Sequence, residues 1–229
     1  MKKLSREEIA SRFEQQPFWP HLTGPQRDLI LDQARQMEYR GNDAVLSGQN
    51  NCLGALFILE GVLRVYLLAE DGRQITIYRI HGGEACVLAA SCALPAITFD
   101  VQIDAETDCS LLLLPAPAFS QLMEENIWME AFAYRLTAEH FSSIMGAVER
   151  IFFMTLEQRV AAFLIDESAE LSADSIPFTQ EKLAMAIGSA REAVSRMLNQ
   201  FAREGCVSLS RGCIRILDKG ALYRKLSLN

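Results

Sequence analysis

No uninterrupted apolar run in this 229-residue chain approaches the roughly 18 residues that a membrane-spanning helix needs, so no membrane partner is expected. The opening MKKLSREEIASRFEQQ lacks the continuous apolar core of a secretory leader, and cytoplasmic residence is the expectation. The sequence also lacks GxSxG, HExxH and Walker motifs, which leaves hydrolase, zinc-peptidase and nucleotide-hydrolysis chemistry without support. No catalytic residue, metal ligand or cofactor is therefore assigned. Histidine is scarce: His21, His81 and His140 are the only three, and ordinary hydrogen bonding is the expectation for each. The six cysteines, Cys52, Cys86, Cys92, Cys109, Cys206 and Cys213, never fall at CxxC spacing and are expected as buried reduced thiols.

The formal charge of −7 is unevenly spread. The first 154 residues hold twelve Lys/Arg against twenty Asp/Glu, whereas from Thr179 onward nine basic side chains face four acidic ones. Such a concentration suits contact with a phosphate backbone. Acidity elsewhere discourages non-specific contact.

The length allows two cores. The first ~35 residues read as helical, with Ile9 and Phe13 sharing one face. Short apolar runs follow at Val45-Leu46, 56–59, 62–68, 75–80 and 103–114, with glycines between them. Asp71-Gly72 marks a hairpin. This pattern predicts a closed antiparallel roll or barrel. After Pro115 and Pro117 a short helix covers 118–125, and a long helix runs over 127–151. Along it Met129, Ala133, Leu136, His140, Ile144, Ala147 or Val148, and Ile151 recur at steps of three and four, the seam of a helix that pairs with a twin or, as the alternative, lies on its own domain. Thr155 with Gln158 has capping-box form and starts a new helix, which places a hinge at 152–154. The expected division is a roll over 1–126, a long pairing helix and hinge over 127–154, and a third domain over 155–229.

That third domain carries FTQEKLAMAIGSAREAVSRMLNQF, residues 178–201. Leu183, Ala184 and Ile187 form one apolar face, Gly188 ends the first helix in the left-handed conformation, and Ser189 is placed to cap a second. Val194, Met197, Leu198 and Phe201 give the second helix its own stripe, leaving Arg191, Glu192, Ser195 and Arg196 on the other side. This is a helix-turn-helix, and such a helix fits the major groove of double-stranded DNA. Runs 206–209 and 213–217 around Ser210-Arg211-Gly212 predict a small hairpin, or wing.

With these elements in view, the whole chain resembles the Crp/Fnr superfamily of bacterial transcription regulators. The resemblance is carried by the glycine-spaced roll, Gly83-Glu84, the long helix, TLEQRVAAFL, the helix-turn-helix and the wing. Its most specific part is Arg191-Glu192-x-x-Ser195-Arg196, similar to the Fnr-like recognition motif. The resemblance implies an α+β fold: a cyclic-nucleotide-binding-like antiparallel β-roll (a double-stranded jelly roll), a long dimerisation helix and a winged helix-turn-helix. It further implies a non-enzymatic homodimer on a palindrome with a TGA-type half-site, and contact with RNA polymerase if the protein activates. Arg196 suits guanine, Glu192 suits a cytosine amino group, and Ser195 and Arg191 suit a base or phosphate. Ser189, Lys182, Arg203, Arg211 and Arg215 are candidate backbone contacts.

The expected effector pocket comprises Gly83, Glu84, Cys86, Cys92, Phe99 and Asp100. Cyclic-nucleotide-binding relatives hold the phosphate with an Arg and a small hydroxyl residue where this chain aligns Phe99 and Asp100. Cyclic AMP is therefore not the expected signal. No cysteine precedes Cys52, so the amino-terminal iron–sulfur centre of the oxygen-sensing branch is not supported either. A thiol- or metal-responsive switch on Cys86 and Cys92, a small hydrophobic or neutral effector against the long helix and a redox effector remain open, as does a signalling module that recognises protein.

Overall fold

The computed structural model describes residues 4–46, 52–70, 72–93 and 101–226, with the side chains of 91–93 set aside. Two compact units emerge: residues 1–67 with 77–144, and residues 68–76 with 145–229.

In the first unit, α1 (Arg6–Phe13) and α2 (Gly24–Gln33) start at Ser5 and Thr23, each with a complete capping box. The roll is built from β1 (Arg35–Tyr39), β2 (Ala44–Leu46), β3 (Gly54–Glu60), β4 (Val62–Leu68), β5 (Gln74–His81), β6 (Ala85–Cys86), β7 (Gln102–Ala105) and β8 (Cys109–Pro115). They form two four-stranded sheets, ordered β1-β8-β3-β6 and β2-β7-β4-β5. The run expected over 103–114 is thus two strands in different sheets, broken at Glu106-Thr107-Asp108. The break is fixed by the Val62 amide donating to Thr107 Oγ1 and the Gly41 amide donating to Asp108 Oδ1. The predicted Asp-Gly turn includes Asp71, which lies outside the described residues.

Helix α3 (Ala116–Glu125) and the first half of α4 (Ile127–Phe153) complete the core of this unit. Phe13, Phe18 and Phe57, with half-buried Phe132, form its aromatic centre; Phe13 and Phe57 meet edge to face at 4.9 Å.

The pairing seam expected on α4 requires correction. Met129, Ala133, His140 and Ala147 are buried, and Leu136, Ile144 and Ile151 are half-buried, so this stripe packs within the protomer. A second stripe is exposed instead: Ile127, Ala131, Tyr134, Ala138, Phe141, Met145, Val148 and Phe152. Its steps alternate four and three over the whole helix, the spacing of a coiled-coil seam. Periodicity reveals that apolar faces exist, but not which one the chain covers for itself.

The second unit holds α5 (Leu156–Glu170), β9 (Ser175–Ile176), α6 (Gln180–Ile187), α7 (Arg191–Arg203), β10 (Val207–Ser210), β11 (Cys213–Ile216) and α8 (Lys219–Leu226). Thr155 caps α5 in the expected box with Gln158. The wing has three strands, ordered β10-β11-β9. Its third strand, β9, comes from the SADSIP segment at 172–177 and pairs with β11. Among the described residues, no helix is long and apolar enough to cross a membrane.

Candidate nucleic-acid interface

Leu183, Ala184 and Ile187 of α6 and Val194, Leu198 and Phe201 of α7 pack into one core with Val160, Ala161 and Leu164 of α5. Each fully buried aliphatic side chain contributes about 1.5–3 kcal/mol, so the core fixes how the two helices cross. Gly188 caps α6 at φ 65°, a left-handed conformation that glycine adopts without strain. The Ser189 amide donates to Ala184 O at 3.0 Å, and Arg159 of α5 donates to Ile187 O at 2.9 Å. Ser189 does not cap α7, contrary to expectation: Ala190 is the capping residue, with no side-chain bond. The Ser189 amide is used to end α6, which places the residue one position too early.

With α7 anchored on its apolar side, Arg191, Glu192 and Arg196 are exposed and Ser195 is half-buried. Residues 192, 195, 196 and 199 share a face by helical spacing, so exposed Asn199 joins the expected set. One more turn of the same periodicity would have found it. Lys182, Arg203, Arg211 and Arg215 are all exposed, and Ser189 is half-buried. Beside α7 lies a cleft of about 330 Å³, lined by Thr179, Gln180, Arg191, Ser210 and Arg211 among others. Thr179 Oγ1 accepts from the Lys182 amide at 3.1 Å, leaving the positive pole of α6 at the cleft edge. Two guanidinium groups, two hydroxyls and a helix start form a setting for phosphate oxygens. Gln180 and Ser210 carry no signal on sequence alone, because only the fold joins wing to helix.

The far end of α7 is tied down as well. Lys225 of α8 reaches Glu157 at 2.6 Å and Glu204 at 2.5 Å, and its ammonium lies 4.6 Å from the Phe201 ring centroid.

In the first unit, Gly83 and Glu84 form the turn between β5 and β6. Gly83 has φ 93°; its amide donates to Ile58 O at 2.9 Å, and Glu84 Oε2 accepts from the His81 amide at 2.7 Å. Cys86 is buried in β6, and burial pushes its thiol up to about 11, so little thiolate exists near neutral pH. The Cys92 side chain, Phe99 and Asp100 lie outside the described residues.

Beside Cys86 stands a pair that the sequence did not announce. The Tyr78 ring stacks on His140 at 4.6 Å with planes 9° apart. His140 is 7% exposed with its Nε2 buried and unbonded, and the buried Tyr78 hydroxyl faces the Cys86 thiol. Burial lowers the imidazole to about 4 and raises the phenol, so both rings are neutral at pH 7. No group of three or more potential metal ligands occurs among the described residues. The expectation of six reduced cysteines is corrected at Cys52, which is disulfide-bonded, while Cys86, Cys109, Cys206 and Cys213 are free. Sequence spacing cannot foresee this, because a disulfide depends on approach in space.

Comparisons with known proteins agree with this architecture. The family model of the Crp-like helix-turn-helix domain matches residues 158–225, and that of the cyclic nucleotide-binding domain matches residues 36–126. A crystal structure from Eubacterium rectale, assigned to the Crp/Fnr family, superposes with a TM-score of 0.89 at 35% identity, covering 94% of this chain and 100% of that one. The transcriptional regulator SdrP of Thermus thermophilus is 28% identical over 171 residues, 70% of this chain and 78% of SdrP. The nitrogen fixation regulation protein FixK of Bradyrhizobium diazoefficiens is 25% identical over 191 residues, 80% of this chain and 78% of FixK. Roll, helix-turn-helix and wing thus occur together as they do in these relatives, and the chain belongs to the Crp/Fnr family of transcriptional regulators.

Proposed function

We propose that the protein reads a palindromic DNA site as a homodimer and changes its affinity in response to a signal taken up by the roll. The observation that carries this reading is the exposed face of α7. There Arg191, Glu192 and Arg196 are held outward by a packed core on the other side of the helix. Arg196 donates two parallel hydrogen bonds to a guanine edge, Glu192 accepts from a cytosine amino group, and Ser195 and Arg191 meet a neighbouring base or phosphate. Lys182, Ser189, Arg203, Arg211 and Arg215 serve the backbone, which fixes register without reading sequence. The half-site has a TGA-type core.

Pairing runs along the exposed seam from Ile127 to Phe152. Eight apolar positions open to water on one helix are costly unless a second copy covers them, and like seams pair by twofold symmetry. The two recognition helices then meet successive major grooves, about 34 Å apart. The functional division is a roll over 1–126, a pairing helix and hinge over 127–154, and a reading domain over 155–229. Such a protein works in the cytoplasm, catalyses nothing, and contacts RNA polymerase where it activates.

The signal is a neutral or redox effector rather than cyclic AMP. The arginines of β4 and β5 are committed to carboxylates: Arg79 pairs with Glu106 at 2.5 Å and Arg64 with Asp104 at 3.3 Å. A cyclic phosphate needs a free cation, whereas Tyr78, Cys86 and His140 offer neutral hydrogen-bonding groups. Gly83 and Glu84 serve the turn. Cys86, buried with a raised pKa, is a poor redox trigger and a better pocket wall.

Selection of duplexes from a random pool, followed by sequencing, tests the reading. It predicts enrichment of inverted repeats with half-site centres one helical turn apart. Enrichment of single half-sites contradicts pairing, and no enrichment contradicts DNA reading.

A further inference from the structure

The turn between the two helices of the DNA-reading motif is packed by a segment from far earlier in the chain. Residues 68–76, between the bodies of β4 and β5, belong to the second compact unit. Within that unit Ile75 sits directly on Gly188. A Cβ placed on Gly188 would lie 2.6 Å from Ile75 Cγ1 and 3.2 Å from Ile75 Cδ1. Carbon atoms settle roughly 3.5–4.0 Å apart, so any side chain at 188 would expel Ile75. Gly188 is thus both a left-handed cap and a socket. The adjoining peptide is also gripped by Arg159, whose guanidinium donates to Ile187 O at 2.9 Å. Neighbouring Thr76 keeps its hydroxyl buried without a hydrogen-bond partner, so packing is a large part of what holds this segment.

We propose that Ile75 is a positioning residue for DNA reading: by filling the Gly188 socket it sets where α7 begins. The proposal rests on α7 being the DNA-reading helix. A β-branched side chain suits the role, because it has few rotamers and transmits displacement rather than absorbing it. A shift of Ile75 in its socket would change how Arg191 and Glu192 of the first turn are presented.

A double-mutant cycle in the full chain tests this, with wild type, Ile75→Ala, Gly188→Ala and the double variant. Two readouts are used: discrimination between the selected operator and scrambled duplex, and amide hydrogen exchange at 187–190 without DNA. Gly188→Ala is expected to reduce discrimination about tenfold, and Ile75→Ala about threefold with non-specific affinity unchanged. The double variant recovers at least about threefold over additivity, because the new methyl group then has room; contacting residues couple on this scale. Ile75→Val is expected to retain discrimination. Additivity within about twofold in both readouts overturns the proposal. Coupled exchange without coupled discrimination overturns the positioning role and leaves only a packing contact. A wild-type protein with no discrimination overturns the DNA reading itself, which the DNA-free exchange cycle distinguishes from loss of the contact.

Discussion

Tyr78 and His140 lie ring against ring, 4.6 Å apart and nearly parallel, with the imidazole Nε2 buried and unbonded. Burial holds His140 at about 4 in the folded chain, against 6.5 for a free histidine. The unfolded chain therefore takes up a proton between those values that the folded chain refuses. Stability from this site is complete above pH 6.5 and falls by up to about 3 kcal/mol as the pH drops to 4. Denaturant unfolding of wild type and His140→Phe across pH 4–7 checks it: the variant should lose this part of the pH dependence.

The exposed seam of α4 makes a prediction about assembly. Phe141 and Phe152 are its most exposed aromatic side chains, at 59% and 77% exposure. Phe141→Asp places a charge where a second copy should pack, and dimer affinity is expected to fall at least about a hundredfold. Leu136→Asp, on the stripe that packs within the protomer, should instead lower the folding stability of the chain. Sedimentation velocity with circular dichroism separates the two outcomes.

Lys225 locks the carboxy-terminal unit by joining Glu157 and Glu204 beneath α7. Burial opposes the charge of the lysine, but the two carboxylates outweigh it and raise its pKa; Glu204 is held below the usual carboxylate range chiefly by its bond to Lys225. Lys225→Met leaves two carboxylates facing each other and should cost about 1–3 kcal/mol, less than a fully buried pair because Glu204 is 39% exposed. Because the Glu204 pKa is lowered on folding, the stabilisation is present above the ordinary carboxylate pKa and fades on acidification. Thermal unfolding at pH 7 and pH 4 should show a smaller difference between variant and wild type at the lower pH.

Arg211 and Lys182 are assigned to phosphate, which makes a different prediction from a base contact. Arg211→Ala should weaken binding to operator and scrambled duplex alike, and should reduce the slope of log affinity against log salt by about 1. Titrations at several salt concentrations check this; a selective loss on operator alone would assign Arg211 to base reading.

Much of this architecture was legible because local rules and global fold agree. The Thr155–Gln158 box, the Gly188 cap and the apolar stripes of α6 and α7 each stand in the structure where the sequence placed them. Misreadings came where two arrangements satisfy the same local rule. Helix α4 has two apolar stripes, and only the surrounding core decides which turns inward. Strand β1, RQMEY, is largely polar and is recruited by pairing with β8, so its own residues give little strand signal. Ser189 has the chemistry of a cap, but the ending of α6 claims its backbone first. The Tyr78–His140 pair joins residues 62 positions apart, and the wing cleft joins three separate elements. No periodicity or motif reports such meetings, which exist only once the chain has folded.

The most direct measurement is the ratio of affinities for the selected operator and a scrambled duplex, compared between wild type and Arg196→Ala at one fixed salt concentration. The account predicts a loss of about 1–3 kcal/mol of discrimination, confined to the base pair Arg196 reads, with scrambled-duplex affinity nearly preserved. An unchanged ratio would contradict it, because α7 would then be touching DNA without reading it.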